Sequence, residues 1–217
     1  MSVISKLKAK WKKLTASKKP FQNSGDYWRN RYNDGGNSGG GSYGVLADFK
    51  ANILNNFVKK ENIKTVIEFG CGDGNQLTLA EYPNYIGFDI SPKAISLCQS
   101  LFNDDSSKSF MLLDHYNNQN ADVTLSLDVI FHLVEDQVFN EYMELLFSAA
   151  NKYVIIFSSN TDTVEAPNHH VRHRKFTNWL AANQSDWKLL QHIPNENPYT
   201  GNNKVSSFAD FYIFAKT

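Results

Sequence analysis

The sequence predicts an α/β fold whose centre is a doubly wound, mostly parallel β-sheet. Short apolar runs alternate with segments of helical periodicity from residue 45 to residue 215. The first run ends in a cluster of glycines, and acidic residues follow several of the later runs. Strand, helix and strand repeated in this way imply parallel pairing through right-handed crossovers, with helices on both faces of an open, twisted sheet.

The predicted elements follow in order along the chain. A stripe of apolar residues predicts the first helix, over 45–59, and consists of Leu46, Phe49, Ile53 and Phe57. Five buried strands are predicted, at 65–69, 85–89, 109–113, 122–127 and 153–158. Further helices are predicted at about 92–102, 136–150 and 175–183. Two final apolar runs, 188–193 and 208–215, predict a hairpin-like pair of strands.

Length and composition bound the classes of protein that the chain can form. Its 217 residues favour one core, and 41% hydrophobic residues exclude wholesale disorder. No run approaches the ~18 apolar residues of a membrane span, and the amino terminus lacks a secretory signal. The two cysteines, Cys71 and Cys98, form neither a disulfide framework nor a zinc pattern. These features predict a cytoplasmic protein in a reducing compartment.

The charges are divided unevenly between the amino terminus and the rest of the chain. Residues 1–19 carry seven lysines and no acid, so a chain with 22 basic and 22 acidic residues leaves −7 on residues 20–217. A body of that sign predicts no nucleic-acid partner. The leader is amphipathic if helical, with an apolar stripe of Ile4, Leu7, Trp11 and Leu14. It could contact an anionic membrane peripherally, or be a solvated or partner-packed segment.

Composition divides the chain into a basic leader over 1–24 and a single domain over 25–217. Seven of the twelve glycines lie between residues 25 and 44, where aromatic residues bracket a glycine-rich loop over 33–42. Those aromatic residues predict a loop anchored on the body, so that 25–60 would form a lid and the first helix.

The end of the first predicted strand carries the main site signal. Gly70, Gly72 and Gly74 let the chain turn tightly and let a ligand approach the backbone. The spacing departs from the dinucleotide fingerprint, and Glu68 would repel a pyrophosphate but suit a ligand with an ammonium group. Asp89, at the end of the second strand, stands where an acid accepts the hydroxyls of a ribose.

These motifs together resemble the class I S-adenosylmethionine-dependent methyltransferases, over roughly residues 45–160. The turn over 68–74, here called the glycine turn, is similar to the family's first motif, and residues 87–91 are similar to its ribose-binding turn. Residues 113–115 are similar to the segment with its adenine-flanking acid, and residues 122–133 to its fourth-strand motif. The resemblance implies S-adenosylmethionine as the cofactor and a seven-stranded Rossmann-like sheet whose last strand is antiparallel. It implies that the cofactor-binding residues are Tyr32, Glu68, Gly70, Cys71, Gly72, Gly74, Asp89, Ile90, Asp114, His115, Leu127 and Asp128.

The acceptor of the methyl group is less well defined by the sequence. The loop after the fourth strand lacks the Asn/Asp-Pro-Pro-aromatic pattern that grips an exocyclic amine, which argues against base methylation of nucleic acid. Residues 27–49 are similar to methyltransferases that accompany glycosyltransferases in surface-polysaccharide assembly. That similarity implies a sugar or glycan hydroxyl, or a phosphorylated small molecule, as acceptor. A small-molecule or protein methyltransferase and an inactive cofactor-binding scaffold are the alternatives.

A hydroxyl acceptor needs a base, and histidines supply the candidates. His132, four residues after Asp128, would stand over the cofactor's sulfonium, and Asp128 and His173 are the other predicted catalytic residues. The His/Arg-rich loop after the fifth strand predicts acceptor-binding residues, namely His169, His170, Arg172 and Arg174. The same loop could be a solvated basic surface, and His132 could be a packing residue. No metal site is predicted, because no pair of carboxylates completes one near these histidines.

Overall fold

A computed structural model of the chain describes residues 21–163 and 168–217. Within these residues there are seven strands: β1 Val66–Phe69, β2 Tyr85–Asp89, β3 Lys108–Leu112, β4 Ala121–Leu127, β5 Ala150–Ser158, β6 Trp187–Ile193 and β7 Asp210–Lys216. They form one sheet in the order β3-β2-β1-β4-β5-β7-β6. The α-helices are α1 Ser24–Asn33, α2 Gly44–Lys60, α3 Pro92–Leu101, α4 Asp136–Ser148 and α5 Phe176–Asn183.

The sheet has the topology that the alternating pattern predicts. The first five strands pair in parallel, and β7 pairs antiparallel with both β5 and β6. The chain order reverses between β1 and β4, because β1 connects to β2 on one side and β4 lies on the other. Ligands bind at such a switch point, beyond the carboxyl ends of the strands. The antiparallel last strand and the final strand pair confirm the expectations from the sequence.

Alternate residues of each strand bury their side chains on opposite faces of the sheet. On one face, Val123, Leu125 and Phe157 pack with apolar residues of α2 and α3. On the other face, Ile156 and Phe214 pack with residues of α4 and α5. Burial of each large apolar side chain contributes about 1.5–3 kcal/mol, so these two layers fix the strand ends that build the site.

Two elements before β2 are not among the helices and strands that the sequence predicts. Helix α1 has no apolar stripe, since only Ser24 and Tyr32 of its residues are buried, and it begins where the Asn23 side chain accepts from the Asp26 amide. After β1, the chain forms a single 3-10 turn at Gln76–Leu79 and returns to the sheet at β2. Both elements lie at the edge where the sheet carries its site.

The lysine-rich stretch over residues 1–19, with its predicted apolar stripe, lies outside the described residues. Among the residues that the structure describes, none forms a helix with the length and apolar character to cross a membrane.

Candidate active site

A cavity of about 520 Å³ opens beyond the carboxyl ends of β1, β2 and β4. Its floor is the turn after β1, and α1 covers it from above. It contains nine of the twelve residues predicted to bind the cofactor: Tyr32, Glu68, Gly70, Cys71, Gly72, Asp89, Ile90, Leu127 and Asp128. The volume lies within the ~300–1,000 Å³ that small-molecule sites occupy.

The glycines after β1 are required by backbone conformation and by close contacts. Gly70 and Gly72 have φ values of 91° and 61°, which L-residues rarely adopt. A Cβ at Gly70 would lie 2.5 Å from Val129 Cγ2, and one at Gly72 would lie 2.3 Å from Ser38 Oγ. Gly74 has a different role, because it packs against Cys98 and Phe102 of the α3 region rather than lining the cavity.

Asp89 places a buried carboxylate at the end of β2. Its Oδ2 accepts from the Gly72 amide at 3.0 Å and its Oδ1 from the Ser91 amide at 2.8 Å. Burial raises the pKa of Asp89 to about 6, although these amide hydrogen bonds oppose the rise. Each carboxylate oxygen has capacity for another hydrogen bond, so the group can accept from both hydroxyls of a ribose.

Glu68 lies on the same cavity wall, in β1. Its Oε2 accepts a hydrogen bond of 2.7 Å from the Tyr85 hydroxyl, and only 5% of the residue is exposed. Burial raises the pKa of Glu68 to about 7, and the Tyr85 hydrogen bond and the Lys50 charge counteract part of the rise. The carboxylate is therefore poised to be stabilised by a cationic ligand group.

Gln76 also lines the cavity, although no sequence motif points to it. Its Nε2 donates to the Ala47 carbonyl at 3.0 Å, which fixes the amide. Its Oε1 is buried and has no hydrogen-bond partner among the described residues. Because a buried unpaired oxygen is costly, this atom marks a place where a ligand N–H or O–H would be bound.

The loop between α1 and α2 is fastened to the turn after β1. Asp73 Oδ2 accepts from the Ser38 amide at 2.9 Å and from the Tyr43 hydroxyl at 2.8 Å. Ser38 Oγ in turn accepts from the Asp73 amide and contacts the Tyr32 hydroxyl, each at 2.9 Å. These contacts support the prediction of an anchored lid.

An ion pair between a buried lysine and a partly buried aspartate lies in the cavity wall at the end of β4. Lys50 Nζ lies 2.7 Å from Asp128 Oδ2, and the lysine side chain is 1% exposed. Asp128 has a φ of 60°, an unusual conformation for a residue with a side chain. Lys50 was not predicted, since a lysine within an amphipathic helix ordinarily faces solvent.

A second cavity, of about 220 Å³, adjoins the first. The two cavities share Trp28, Ser38, Asp128 and His132. The outer wall of the second comes from the connection between β6 and β7, including Asn203 and Phe208. The arrangement gives one compartment over the glycine turn and another beyond it, with common residues between them.

His132 lies on the wall that the two cavities share. Its Nδ1 lies 2.9 Å from the His170 carbonyl oxygen, so Nδ1 carries the proton and Nε2 is left as an acceptor. The Trp28 ring packs edge-on at 4.8 Å between centroids. Burial lowers the pKa of His132 to about 3, and the imidazole is therefore neutral at physiological pH.

His173, the other histidine predicted to be catalytic, lines neither cavity. Its Nδ1 lies 2.8 Å from Ser159 Oγ, and its ring packs edge-on against Phe208. Burial lowers the pKa of His173. The geometry gives it a packing role behind the second cavity.

Arg172 and Arg174, predicted to hold the acceptor, also line neither cavity. Both guanidinium groups bind the Val134 carbonyl, and each lies within 3.0 Å of Asp136 Oδ1. Their charges hold the loop after β5 against the segment that leads from β4 into α4. The structure places both arginines away from the cavities, and the sequence gives the charges of this loop but not the direction of its side chains.

Of the remaining predicted residues, some line a cavity and others do not. His170 lines the second cavity and stacks on Tyr27 with ring centroids 4.2 Å apart, whereas His169 is exposed and lines neither cavity. After β3, Leu113 lines the first cavity, while Asp114 and His115 point outward and are exposed. The turn at Leu113–His115 therefore offers an apolar contact where the sequence suggested an acid.

The chain is similar to methyltransferases in sequence and in fold. Residues 67–149 match the family model described as a methyltransferase domain. S-adenosylmethionine is the cofactor of that family. The matched residues, less than half of the chain, are thus similar to the class I S-adenosylmethionine-dependent methyltransferases. No curated protein matches the sequence.

Several solved methyltransferase structures are similar to this chain in fold. The N-methyltransferase NodS from Bradyrhizobium japonicum WM9, with S-adenosyl-L-homocysteine, is 12% identical with a TM-score of 0.69, over 90% of this chain and 99% of that one. Magnesium protoporphyrin IX methyltransferase from Synechocystis PCC 6803, with bound SAM, is 16% identical with a TM-score of 0.65, over 92% and 100%. The methyltransferase domain of bacterial CtHen1-C is 18% identical with a TM-score of 0.60, over 77% and 97%. At these identities the likeness shows the fold.

The residues of the first cavity fit S-adenosylmethionine. Asp89 would offer its carboxylate to the ribose, and the glycine turn leaves backbone space that a Cβ would fill. Glu68 would offer negative charge, and the unpaired Gln76 Oε1 an acceptor, to the ammonium group. We expect Leu113 and Tyr142, on the apolar side of the cavity, to contact the adenine.

Proposed function

We propose that this methyltransferase transfers the methyl group to a hydroxyl of a sugar or glycan, with His132 accepting the proton that leaves. The observation that carries the proposal is the place of His132, on the wall shared by the two cavities. Because Nδ1 is held by the His170 carbonyl, the Nε2 lone pair is the part of the ring available to an acceptor hydroxyl.

Neutral His132 suits this role in spite of its low pKa. When bound, S-adenosylmethionine supplies a methyl group already activated for in-line transfer. A hydroxyl oxygen becomes positive as it gains a methyl group, so its proton becomes strongly acidic and a weak base suffices. Because burial lowers the pKa of His132 to about 3, the imidazole is unprotonated, and ready to accept, throughout the neutral range.

The lining of the second cavity supports a sugar as acceptor. Aromatic rings from Trp28 and Phe208 offer apolar faces, and Asn203 and Ser207 offer hydrogen-bonding groups beside them. A volume of about 220 Å³ is below the range of drug-sized ligands and suits a single monosaccharide unit. A longer glycan would extend outward through the open side.

Lid closure would exclude water from the transfer. The loop between α1 and α2 contacts both the glycine turn, through Ser38, and the end of β4, where a Cβ at Gly41 would lie 2.6 Å from Asp128 Oδ2. Trp28 packs on His132 from the same lid. Positioning of the acceptor between these groups supplies the orientation on which in-line transfer depends.

The test is an assay of the full chain with methyl-labelled S-adenosylmethionine and a panel of acceptors: neutral sugars, uronic acids, sugar phosphates, amino sugars and a peptide mixture. Mass spectrometry and NMR of the product locate the labelled methyl group. We expect an O-methyl sugar. A methyl group on nitrogen, on a phosphate oxygen or on the peptides would contradict the hydroxyl acceptor, and cofactor binding without transfer to any acceptor would favour an inactive scaffold.

A further inference from the structure

The second cavity, which the proposed function assigns to the acceptor and which we call the acceptor cavity, carries a positive charge that the proposed reaction does not use. Its lining contains one arginine, Arg31, and one acid, Asp128. The Asp128 carboxylate is neutralised by Lys50 at 2.7 Å. His132 in the same lining is neutral, because burial holds its pKa near 3. The compartment therefore carries the uncompensated positive charge of Arg31, whose field contributes to the low pKa of His132.

The Arg31 guanidinium is held in place on the lid. Its Nε donates to the Asn37 carbonyl at 2.6 Å, and weaker contacts of 3.4 Å join its terminal nitrogens to the Asn37 side chain and the Tyr27 hydroxyl. The group also lies over the Trp28 ring, 5.5 Å from the centroid. Because these contacts fix the side chain, little rotamer entropy remains to be lost when it binds a ligand.

The same contacts leave part of the guanidinium unused. Three of its five N–H groups have partners among the described residues. The two others are on the terminal nitrogens, and the residue lines the acceptor cavity. A planar pair of N–H donors matches the two oxygens of a carboxylate or phosphate.

We infer that Arg31 is a specificity-determining residue that selects an anionic sugar, one bearing a carboxylate or a phosphate, as the acceptor. The inference rests on the proposed function and refines its substrate class. In this arrangement the anionic group binds Arg31 on the lid, and the hydroxyl to be methylated points toward His132. Arg172 and Arg174, which the sequence suggested for this role, are engaged at Asp136.

The inference is tested by titration calorimetry on the full chain saturated with S-adenosylhomocysteine. The probes are glucuronate, glucose 6-phosphate and glucose, so that the first two separate a carboxylate from a phosphate. We expect at least one anionic probe to bind about 10- to 100-fold more tightly than glucose, as for charge-assisted hydrogen bonds, and added salt to reduce the difference.

Three variants connect the preference to Arg31. Arg31→Gln should bring the affinity for the anionic probe close to that for glucose, and Arg31→Lys should keep part of the preference, since it retains the charge without the planar donors. Lys59→Gln, which removes an exposed positive charge on α2, should leave the preference unchanged. The S-adenosylhomocysteine affinity of each variant checks that the lid is intact.

The inference is overturned if neither anionic probe binds more tightly than glucose, or if Arg31→Gln keeps the preference. If the proposed function is wrong, the experiments give a different result. In that case the wild type binds the anionic probe through Arg31, yet product analysis finds no methyl group on a sugar hydroxyl.

Discussion

At the scale of single residues, the first cavity contains two buried carboxylates, Asp89 and Glu68, whose charged forms a bound ligand would stabilise. Asp89 was predicted because the end of the second parallel strand is a recurrent ribose position. Its two amide hydrogen bonds hold the carboxylate in place before a ligand arrives. Lys50 and Gln76 were missed because their importance comes from tertiary contacts, with Asp128 and Ala47 respectively, that leave no local signal in the sequence.

Asp89→Ala should weaken cofactor binding. Loss of charge-assisted hydrogen bonds to a ribose costs about 1.5–3 kcal/mol each, or roughly one to two decades in affinity. Since burial raises the pKa of Asp89 to about 6, wild-type affinity should also fall as the pH drops below that value. Calorimetry with S-adenosylhomocysteine between pH 5 and 8 measures both effects, with the exposed Asp104→Ala as control. Equal affinities for Asp89→Ala and the wild type would remove the ribose assignment.

At the scale of elements, the lid is the part of the site that the sequence described least completely. The aromatic residues around the glycine loop predicted an anchored segment, but α1 has no apolar stripe from which its helix could be recognised. The helix α1 is fixed instead by its cap and by contacts to distant parts of the chain. Ser24 Oγ donates to Glu135 Oε2 at 2.6 Å and accepts from the Val134 amide at 2.9 Å.

Asp73→Ala should release the loop from the turn after β1. The carboxylate accepts from the Ser38 amide, the Tyr43 hydroxyl and the Asn75 amide, so its removal leaves three donors without their partner, two of them in the loop. Amide hydrogen exchange of residues 36–43 should quicken by about tenfold or more, while exchange in the β-sheet is unchanged. Asp34→Ala, in the same loop, is the control, since the Asp34 side chain is exposed. Equally fast loop exchange in both variants would show that Asp73 does not fasten the lid.

At the scale of the whole molecule, the sheet was predicted well because its signals are local and repeated. The predicted β2, 85–89, has the observed bounds Tyr85–Asp89, and the other strands differ only by a few residues at their ends. The order of the strands follows from right-handed crossovers and the antiparallel final pair. The directions of the His/Arg loop side chains depend on packing between distant segments, and the sequence could not supply them.

The buried Glu68 should make the stability of the ligand-free protein depend on pH in a particular direction. Burial raises the pKa of Glu68 from 4.5 to about 7, so its protonated form favours the fold. This contribution is fully present below pH 4.5 and is lost as the pH rises through 7, with a magnitude of up to about 3 kcal/mol.

Glu68→Gln keeps an acceptor for the Tyr85 hydroxyl and removes the titration. We expect its free energy of unfolding to exceed that of the wild type at pH 8 and to converge with it near pH 4, as measured by urea denaturation. Glu81→Gln, at an exposed position, should follow the wild type throughout. A difference between Glu68→Gln and the wild type that does not change with pH would show that folding does not raise the pKa of Glu68.

The most direct test of the account is the methyl-transfer rate of His132→Ala at saturating cofactor, with the acceptor that the panel identifies. A positioned histidine base typically contributes ~10²–10⁴-fold, so the rate should fall by about that factor while S-adenosylhomocysteine affinity is unchanged. Because burial lowers the pKa of His132 to about 3, its titration should leave no inflection in the wild-type rate between pH 5 and 8. His192→Ala, in β6 and outside both cavities, controls for loss of a histidine. A His132→Ala rate equal to that of the wild type would contradict the role assigned to His132.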